Sequence, residues 1–427
     1  MSKQLFSTPT GMHDILPDDQ SYWEKLRQEI FEMAKFYDFG YVETPVLEQR
    51  GVFDKSLGVT SETVEKEMYT LKTKGGDELA LRTEGTPPIM RAYLQHGWES
   101  APQPVKVFYL GQMFRHESPQ AGRYRQFHQY GVEAIGSASP WVDVEVIALC
   151  VHILRDCGVA QPTVWVASMG CRNDQARSAE ALRKRLEPHK HALCKECQAR
   201  LERKVFRALD CKKPGCREIV WAGKPSPFVL CADCQEHFAE VRRGLQAAGV
   251  AFDDTQAFAR GLDYYTRTVF EVRAKGLGAQ DAVAAGGRYD HLVEEFGGPA
   301  LGAAGFATGI ERLLLAADAA LTEPLSIARR GLYLALAEQS LLGEGFRFVQ
   351  ELRARGVWTG VDFDGKSLKA QLREADKGGY QLVAVLGQAE LKERSITLKD
   401  LGDGAQRNVS LDSFVNEVAE HANTTCH

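Results

Sequence analysis

Residues 111–129 read "GQMFRHESPQAGRYRQFHQ" and crowd Arg115, Arg123 and Arg125 among Phe114, Tyr124 and Phe127. A guanidinium is a planar fork that donates two hydrogen bonds to a phosphate or carboxylate and stays charged at any relevant pH. The chain has no GxxxxGK[ST] loop, so a nucleotide bound here would be gripped by side chains in place of a backbone cradle. Phe127 is placed to stack on a base, with Arg312 in "GIER" as a cation for the other face. Each arginine alone fits a surface ion pair; three on one hairpin favour a polyphosphate site.

A second chemistry lies in the cysteines. Cys194 and Cys197 form one C-x-x-C, Cys231 and Cys234 another, and Cys211 and Cys216 fall between them. Two such pairs have zinc-site spacing, which makes a structural zinc on Cys194, Cys197, Cys231 and Cys234 one reading. Buried thiols packing as small apolar groups are the other.

The elements that must position these residues follow from periodicity. Ser21 and Glu24 have capping-box spacing ahead of a helix whose apolar face is Trp23, Leu26, Ile30, Met33 and Tyr37. "YVETPVLE" is a β-rich run interrupted by Pro45, which suits an edge or interface strand. "VKVFYLGQMFR" and "FHQYGVEAIG" alternate as strands around a turn-prone loop, so 105–136 reads as a long antiparallel hairpin. A helix over about 143–156 and a strand "PTVWVAS" follow. "DYYTRTVFEV" resumes the strand pattern, "AAGGRYD" reads as a glycine turn, and "GAAGFATGIERLLLAAD" as a strand entering a helix. Gly302, Gly305 and Gly309 leave room for a flat ligand against that strand. From Gly331, strands alternate with helices, the pattern of a small α/β domain with parallel pairing.

Composition bounds the alternatives. The chain has 427 residues, length for about three domains of roughly 150 residues. An apolar fraction of 44% and a charged fraction of 26% exclude a disordered chain, and no run reaches the roughly 18 apolar residues of a membrane helix. The start, "MSKQLFSTPTG", lacks a secretory pattern, so a cytoplasmic, reducing setting and free thiols are expected for the ten cysteines. Net charge is −5, yet from Arg183 to Arg217 twelve Lys and Arg stand against four Asp and Glu. On charge alone that excess fits a solvated helical face slightly better than a phosphate-binding one.

Several of these stretches resemble a known family. "FRHE" with "RYRQFHQ" resembles motif 2 of the class II aminoacyl-tRNA synthetases, "GIER" resembles motif 3, and the first helix with the Pro45 strand resembles motif 1. "RTEGT" (82–86), "ARGLDYYTRTVFE" (259–271) and "AAGGRYD" (284–290) are similar to histidyl-tRNA synthetase signatures. The resemblance covers nearly the whole chain. It implies an α+β catalytic domain built on an antiparallel sheet over 1–325, interrupted by a helical, basic, cysteine-rich insertion at about 171–252. An α/β anticodon-binding domain over 330–427 would follow.

The resemblance also implies roles. Arg115, Arg260 and Arg312 would be catalytic, with Arg115 bridging the amino acid's carboxylate and the α-phosphate, Arg260 adding a second cation, and Arg312 on the adenine and γ-phosphate side. Glu117, Arg123 and Phe127 would complete the ATP site, Glu117 accepting from the adenine amino group. Thr83, Glu84, Gln129, Glu133, Tyr264 and Tyr265 would form the histidine pocket. His13, His116 and His128 receive no catalytic role. ATP with Mg2+, L-histidine and tRNA(His) are the expected ligands, and a homodimer formed through motif 1 is the expected assembly. Within the family the insertion lies beside the tRNA acceptor stem, which favours phosphate contact for its charge. Ser118 stands where the family has a basic residue, so one acceptor-end contact differs.

Two alternatives carry the same fold. A histidine-sensing regulatory subunit of ATP phosphoribosyltransferase would lack the C-terminal domain and the gripping arginines, and a class II ligase for glycine, proline or threonine would lack "LDYY". Retention of Arg115, Arg260, Arg312 and "LDYY" argues against both.

Overall fold

The computed structural model describes residues 5–58, 63–120, 122–211, 213–221, 227–255, 258, 264–274, 277, 281–317 and 329–424. The contacts divide the chain into two compact units, Met1–Thr322 and Glu323–His427.

In the first unit the central sheet contains β1 (Gly40–Tyr41), β5 (Val105–Phe114), β6 (Gln126–Ile135), β7 (Thr163–Ser168), β8 (Phe252–Asp253), β9 (Thr266–Arg273), β10 (Ala282–Arg288) and β11 (Ala303–Gly309). Their order is β1-β5-β6-β11-β10-β9-β7-β8. The middle six run antiparallel, while the edge strands β1 and β8 pair in parallel with β5 and β7. A smaller sheet orders β2 (Leu47–Gln49), β4 (Glu78–Leu81) and β3 (Thr70–Lys72).

Period-2 alternation divides the central sheet into two faces. Tyr130, Val132, Ala134, Ala304, Phe306, Phe270 and Val272 are buried in one core with Trp23, Leu26 and Ile30 of α1 (Gln20–Phe36) and with α4 (Pro140–Asp156). Met33 and Tyr37 are half-buried against that core. Gln129 and Glu133 of β6 point the other way, toward the candidate site. The helices α2 (Arg50–Leu57) and α3 (Thr86–Gln95) contribute to a second core on that side.

Two local expectations change. The first helix begins at Gln20 after a 3-10 turn over Pro17–Asp19, where Leu16 N donates to Asp19 Oδ2 at 2.9 Å, so the N-cap position is Asp19 and not the expected Ser21. "AAGGRYD" is not a turn. Its Ala284–Arg288 portion runs through β10, paired on both sides, and the glycines let neighbouring strands approach: a Cβ on Gly286 would fall 2.3 Å from Gly305 O.

After β7 the chain forms α5 (Arg172–Leu186), a 3-10 segment Glu187–Ala192, α6 (Lys195–Arg203), a 3-10 segment Val205–Asp210, α7 (Pro214–Trp221) and α8 (Ala232–Ala247). Then come α9 (Leu292–Glu295) and α10 (Ile310–Ala316). A buried salt bridge ties β10 to the start of α4: Arg288, with no exposed surface, donates through Nε to Asp143 Oδ1 at 2.9 Å and through Nη1 to Asp290 Oδ1 at 3.0 Å. Its remaining donors reach Ser137 O and Ser139 O at 2.8 and 2.7 Å.

The second unit is a five-stranded sheet of β12 (Arg330–Leu336), β13 (Thr359–Val361), β14 (Tyr380–Leu386), β15 (Ser395–Asp400) and β16 (Gln406–Ser410), ordered β13-β12-β14-β15-β16. The first three are parallel, as the alternation of strand and helix predicts, and the last two add an antiparallel edge. Its helices are α11 (Leu342–Ala354), α12 (Leu368–Lys377), α13 (Gln388–Glu393) and α14 (Phe414–Thr424). Phe348, Val349 and Leu352 of α11 meet Phe414, Val415 and Val418 of α14 in its core.

Candidate functional site

A cleft of about 420 Å³ opens on the polar face of the central sheet, and Glu84, Arg115, Glu117, Arg123, Gln129, Tyr264 and Tyr265 line it. With Gly305, eight residues singled out in the sequence therefore meet in one place. Thr63, Glu67, Thr86, Arg207 and Tyr289 also line it.

The hairpin holds its arginines in different ways. Arg115 follows β5; its Nε donates to Thr83 O at 2.9 Å, and its guanidinium lies 5.5 Å from the Phe127 ring. That leaves the two Nη nitrogens, one 3.9 Å from Glu117 Oε1. Glu117 also accepts from Arg123 Nη1 at 3.4 Å, so the two arginines share one carboxylate. Arg125 is a strut: its backbone N donates to Gly11 O at 2.7 Å and its Nε to Glu117 O at 3.1 Å. Arg312 donates through Nε and Nη2 to Ala282 O at 3.2 and 2.8 Å. Burial, reinforced by the nearby Arg123 charge, lowers its pKa. Neither Arg312 nor Phe127 is part of the cleft lining, and Arg260 falls outside the described residues.

The other end of the cleft combines carboxylates and phenols. Tyr264 OH donates to Glu84 Oε1 at 3.3 Å, and Tyr264, Tyr265 and Tyr289 form a cluster with ring centroids 4.9 to 6.3 Å apart. Burial, with the Glu84 charge, holds the Tyr264 phenol well above its ordinary pKa, so it is a donor. Glu133 lies deeper: Thr86 Oγ1 donates to its Oε1 at 2.6 Å and Tyr289 OH to its Oε2. Burial raises its pKa well above the usual carboxylate range, a shift opposed by the Thr86 bond and aided by the Glu84 charge. Gln129 Oε1 accepts from Gly85 N at 3.2 Å and from Tyr109 OH at 3.4 Å. Thr83 is fully buried and gives its carbonyl to Arg115.

Of the three strand glycines, Gly305 lines the cleft; a Cβ there would lie 2.3 Å from Glu133 Oε2 and 2.5 Å from Tyr289 OH. Gly302 instead accommodates Ser137 O, 2.3 Å from the same hypothetical atom, and is a packing residue. The histidines beside the hairpin have local partners: His128 Nδ1 lies 2.9 Å from Glu311 Oε1, the His116 backbone N donates to Glu67 O at 2.7 Å, and His13 packs edge-on to Tyr124.

Thr86 and Tyr289 were not singled out in the sequence, although the motifs "RTEGT" and "AAGGRYD" contain them. Neither was Arg207. It belongs to the 3-10 segment of the insertion, and nothing in a run of twelve basic residues distinguishes the one that reaches the cleft.

The four cysteines taken together from their spacing do not come together. Cys194 and Cys197 cluster with Cys211 and Cys216, whereas Cys231 and Cys234 cluster with Cys171 and Asp174. Each C-x-x-C opens a different helix, α6 or α8, and linear spacing carries no record of which helix starts face each other.

Residues 11–313 match the histidyl-tRNA synthetase family and residues 332–421 the anticodon binding domain family. The chain is 42% identical to a histidine–tRNA ligase of Desulforudis audaxviator over 98% of its own length and 99% of the relative's. It is 38% identical to one of Dehalococcoides mccartyi over 97% and 99%. The apo crystal structure of Staphylococcus aureus histidyl-tRNA synthetase superposes with a TM-score of 0.78 at 30% identity, over 97% of this chain and all of that one.

Proposed function

This chain belongs to the histidyl-tRNA synthetase family, and from that premise we propose how its cleft joins histidine to tRNA(His) at the expense of ATP. The chemistry has two steps. The histidine carboxylate attacks the α-phosphorus of ATP, forming the acyl phosphate bond of histidyl-adenylate as the bond to pyrophosphate breaks. The terminal ribose hydroxyl of tRNA then attacks the acyl carbon, and AMP leaves.

The carboxylate is ionised at neutral pH, so the first step needs no base. What it needs is alignment of two anions and neutralisation of charge growing on phosphorus. Arg115 suits that task because Thr83 O fixes its Nε and orients the remaining nitrogens. Arg123 and Arg207 add positive charge along the same cleft. Arg260 and Arg312 are assigned as further cations, and Glu117 and Phe127 as adenine contacts, through the motifs that contain them. Mg2+ would enter on the phosphates, prefer oxygen ligands, and neutralise phosphate charge; Glu67 is a cleft carboxylate that would join its shell.

Histidine is distinguished from other amino acids by polar contacts to its ring, because an apolar slot discriminates weakly. Glu84 and Tyr264 form the carboxylate and phenol pair for that purpose. Tyr265, Gln129 and Thr83 complete the pocket, and Glu133 orders it through Thr86 and Tyr289. The observation that carries the reading is the meeting of this acid and phenol group with the hairpin arginines in one cleft.

We assign the catalytic domain to 1–325, the insertion to about 171–252, and the anticodon-binding domain to 330–427. A homodimer through motif 1 is supported by the exposed apolar side chains Phe36, Tyr41, Val46 and Leu47 in that stretch. We assign a cytoplasmic location from the cysteine usage of the sequence, which suits a reducing compartment. The test is aminoacylation of tRNA(His) transcripts with labelled histidine: charging of tRNA(His) and of no other tRNA is expected, and failure with active-site-titrated protein would overturn the transfer step.

A further inference from the structure

Three helices of this chain begin in the same way. Cys171-x-x-Asp174-Gln175 opens α5, Cys194-x-x-Cys197-Gln198 opens α6, and Cys231-x-x-Cys234-Gln235 opens α8. In each, the first cysteine caps the helix in extended backbone, with φ and ψ of −73° and 174°, −66° and 156°, and −72° and 169°. In each, the glutamine N donates to the capping cysteine's carbonyl at 2.9 Å. Its side-chain amide then donates to the carbonyl just before the cap, on Gly170 at 3.3 Å, Leu193 at 2.7 Å and Leu230 at 2.9 Å. The repeated turn carries two ligand-type side chains at the cap and third helical positions.

Two of these turns face each other, and the third faces Cys211 and Cys216. The result is two groups, Cys171, Asp174, Cys231 and Cys234, and Cys194, Cys197, Cys211 and Cys216, with all ligand atoms in each within 4.8 Å of one another. Four ligands at about 2.3 Å from a tetrahedral zinc are about 3.8 Å apart, which these groups can accommodate. We propose that the chain holds two separate structural zinc ions, one in each group.

Three observations favour metal over thiols that merely fill space. Backbone donors cross each cluster to the ligand atoms: Cys194 N to Cys216 Sγ at 3.2 Å, Cys171 N to Cys234 Sγ at 3.2 Å, and Cys231 N to Asp174 Oδ2 at 3.1 Å. Such bonds orient ligands and offset thiolate charge, and helix N-termini favour the anionic form. The fully buried carboxylate of Asp174 lies among three sulfurs, with Arg177 Nη2 donating to its Oδ1 and the Cys171 and Cys231 backbone N to its Oδ2; thiols that merely filled space would not call for a carboxylate there, and zinc accepts an Asp oxygen beside Cys. Finally, α6 and α7 have nine and eight residues, are linked by one 3-10 segment and are too short to hold together through helix stability alone, so they rest on a small apolar core that includes Leu201, Val205 and Val220 and on the cysteine cluster beside it. Metal binding supplies folding free energy in such segments. The four-cysteine centre would also fix the 3-10 segment that carries Arg207 to the cleft.

The test is metal analysis of the full-length chain purified without chelator. Two zinc ions per chain are expected, falling to one in Cys211→Ser/Cys216→Ser, to one in Cys231→Ser/Cys234→Ser, and to none in the combined variant. At most one zinc in the wild type, or loss of the same ion in both double variants, would overturn the proposal. Should the variants not fold, titration of the metal-free wild-type chain with Co2+ alone decides: saturation at two equivalents with tetrahedral thiolate bands supports two centres, and one equivalent or none opposes them. Mapping the unreduced, alkylated wild type guards against another bonding state. Disulfides within either group, or iron in place of zinc, would also overturn the proposal.

Discussion

Replacing Arg115 with alanine tests the cation assignment at its most exposed point. Arg115 Nε is committed to Thr83 O, so the contribution to chemistry lies in the two Nη nitrogens. Two charge-assisted hydrogen bonds to the carboxylate and α-phosphate, at about 1.5–3 kcal/mol each, total about 3–6 kcal/mol. If they strengthen as charge develops on phosphorus, the loss falls on kcat, by roughly 10²- to 10⁴-fold. Arg115→Lys keeps the charge without the fork and should fall between, roughly 10- to 100-fold below wild type. The structural cost is one donor to Thr83 O, about 1 kcal/mol, which lowers Tm by only about 2 °C in a domain of this size. The assay is single-turnover formation of adenylate from saturating histidine and ATP, with a thermal melt alongside. Rates within threefold of wild type for the alanine variant, with Tm unchanged, would refute the assigned role.

The remaining predictions concern selectivity, stability and pH. Glu84→Gln should raise KM for histidine by roughly 10- to 100-fold, and Tyr264→Phe by less, about 3- to 10-fold, because its 3.3 Å contact is long; comparable KM values for wild type and both variants would remove the pair from the pocket. Arg288→Met leaves Asp143 and Asp290 without their buried cation and should cost about 3–5 kcal/mol, read as a fall in Tm of roughly 6–10 °C; a shift under 2 °C would show the bridge to be dispensable. His237 is buried, which lowers its pKa, although Asp143 3.6 Å away opposes that shift. Below pH 6.5 the unfolded chain therefore binds a proton the native state resists, so stability is full above 6.5 and declines as pH falls toward the folded-state pKa, with a slope of at most about 1.4 kcal/mol per pH unit from this group. Urea midpoints at pH 7.5 and 5.5 should show that fall in the wild type and a smaller one in His237→Phe; equal falls would assign it elsewhere.

The parts of this molecule that were legible in the sequence are those in which one local rule decides the outcome. Alternation marked β5 and β6, and the 3.6-residue period put Trp23, Leu26 and Ile30 in the core. Where two local rules compete, or where the partner lies far along the chain, the sequence misleads. Ser21 and Glu24 have cap spacing, but Pro17 starts a 3-10 turn that moves the helix entrance upstream. The glycines of "AAGGRYD" suggest a turn because glycine is common in turns, yet their use is close strand contact inside a sheet. The site follows the same division. The motif stretches contain most of the lining, Thr86 and Tyr289 among the residues not singled out, while Arg207 and the grouping of the cysteines depend on where short helical segments lie in space.

If one cleft couples hairpin arginines to a histidine-selective pocket, the chain alone should activate histidine. The decisive assay is ATP–pyrophosphate exchange by the purified chain, run with each of the twenty amino acids singly and without tRNA. Exchange with histidine alone is the predicted result. Exchange with a different amino acid, or none in folded protein that still binds histidine, would contradict it.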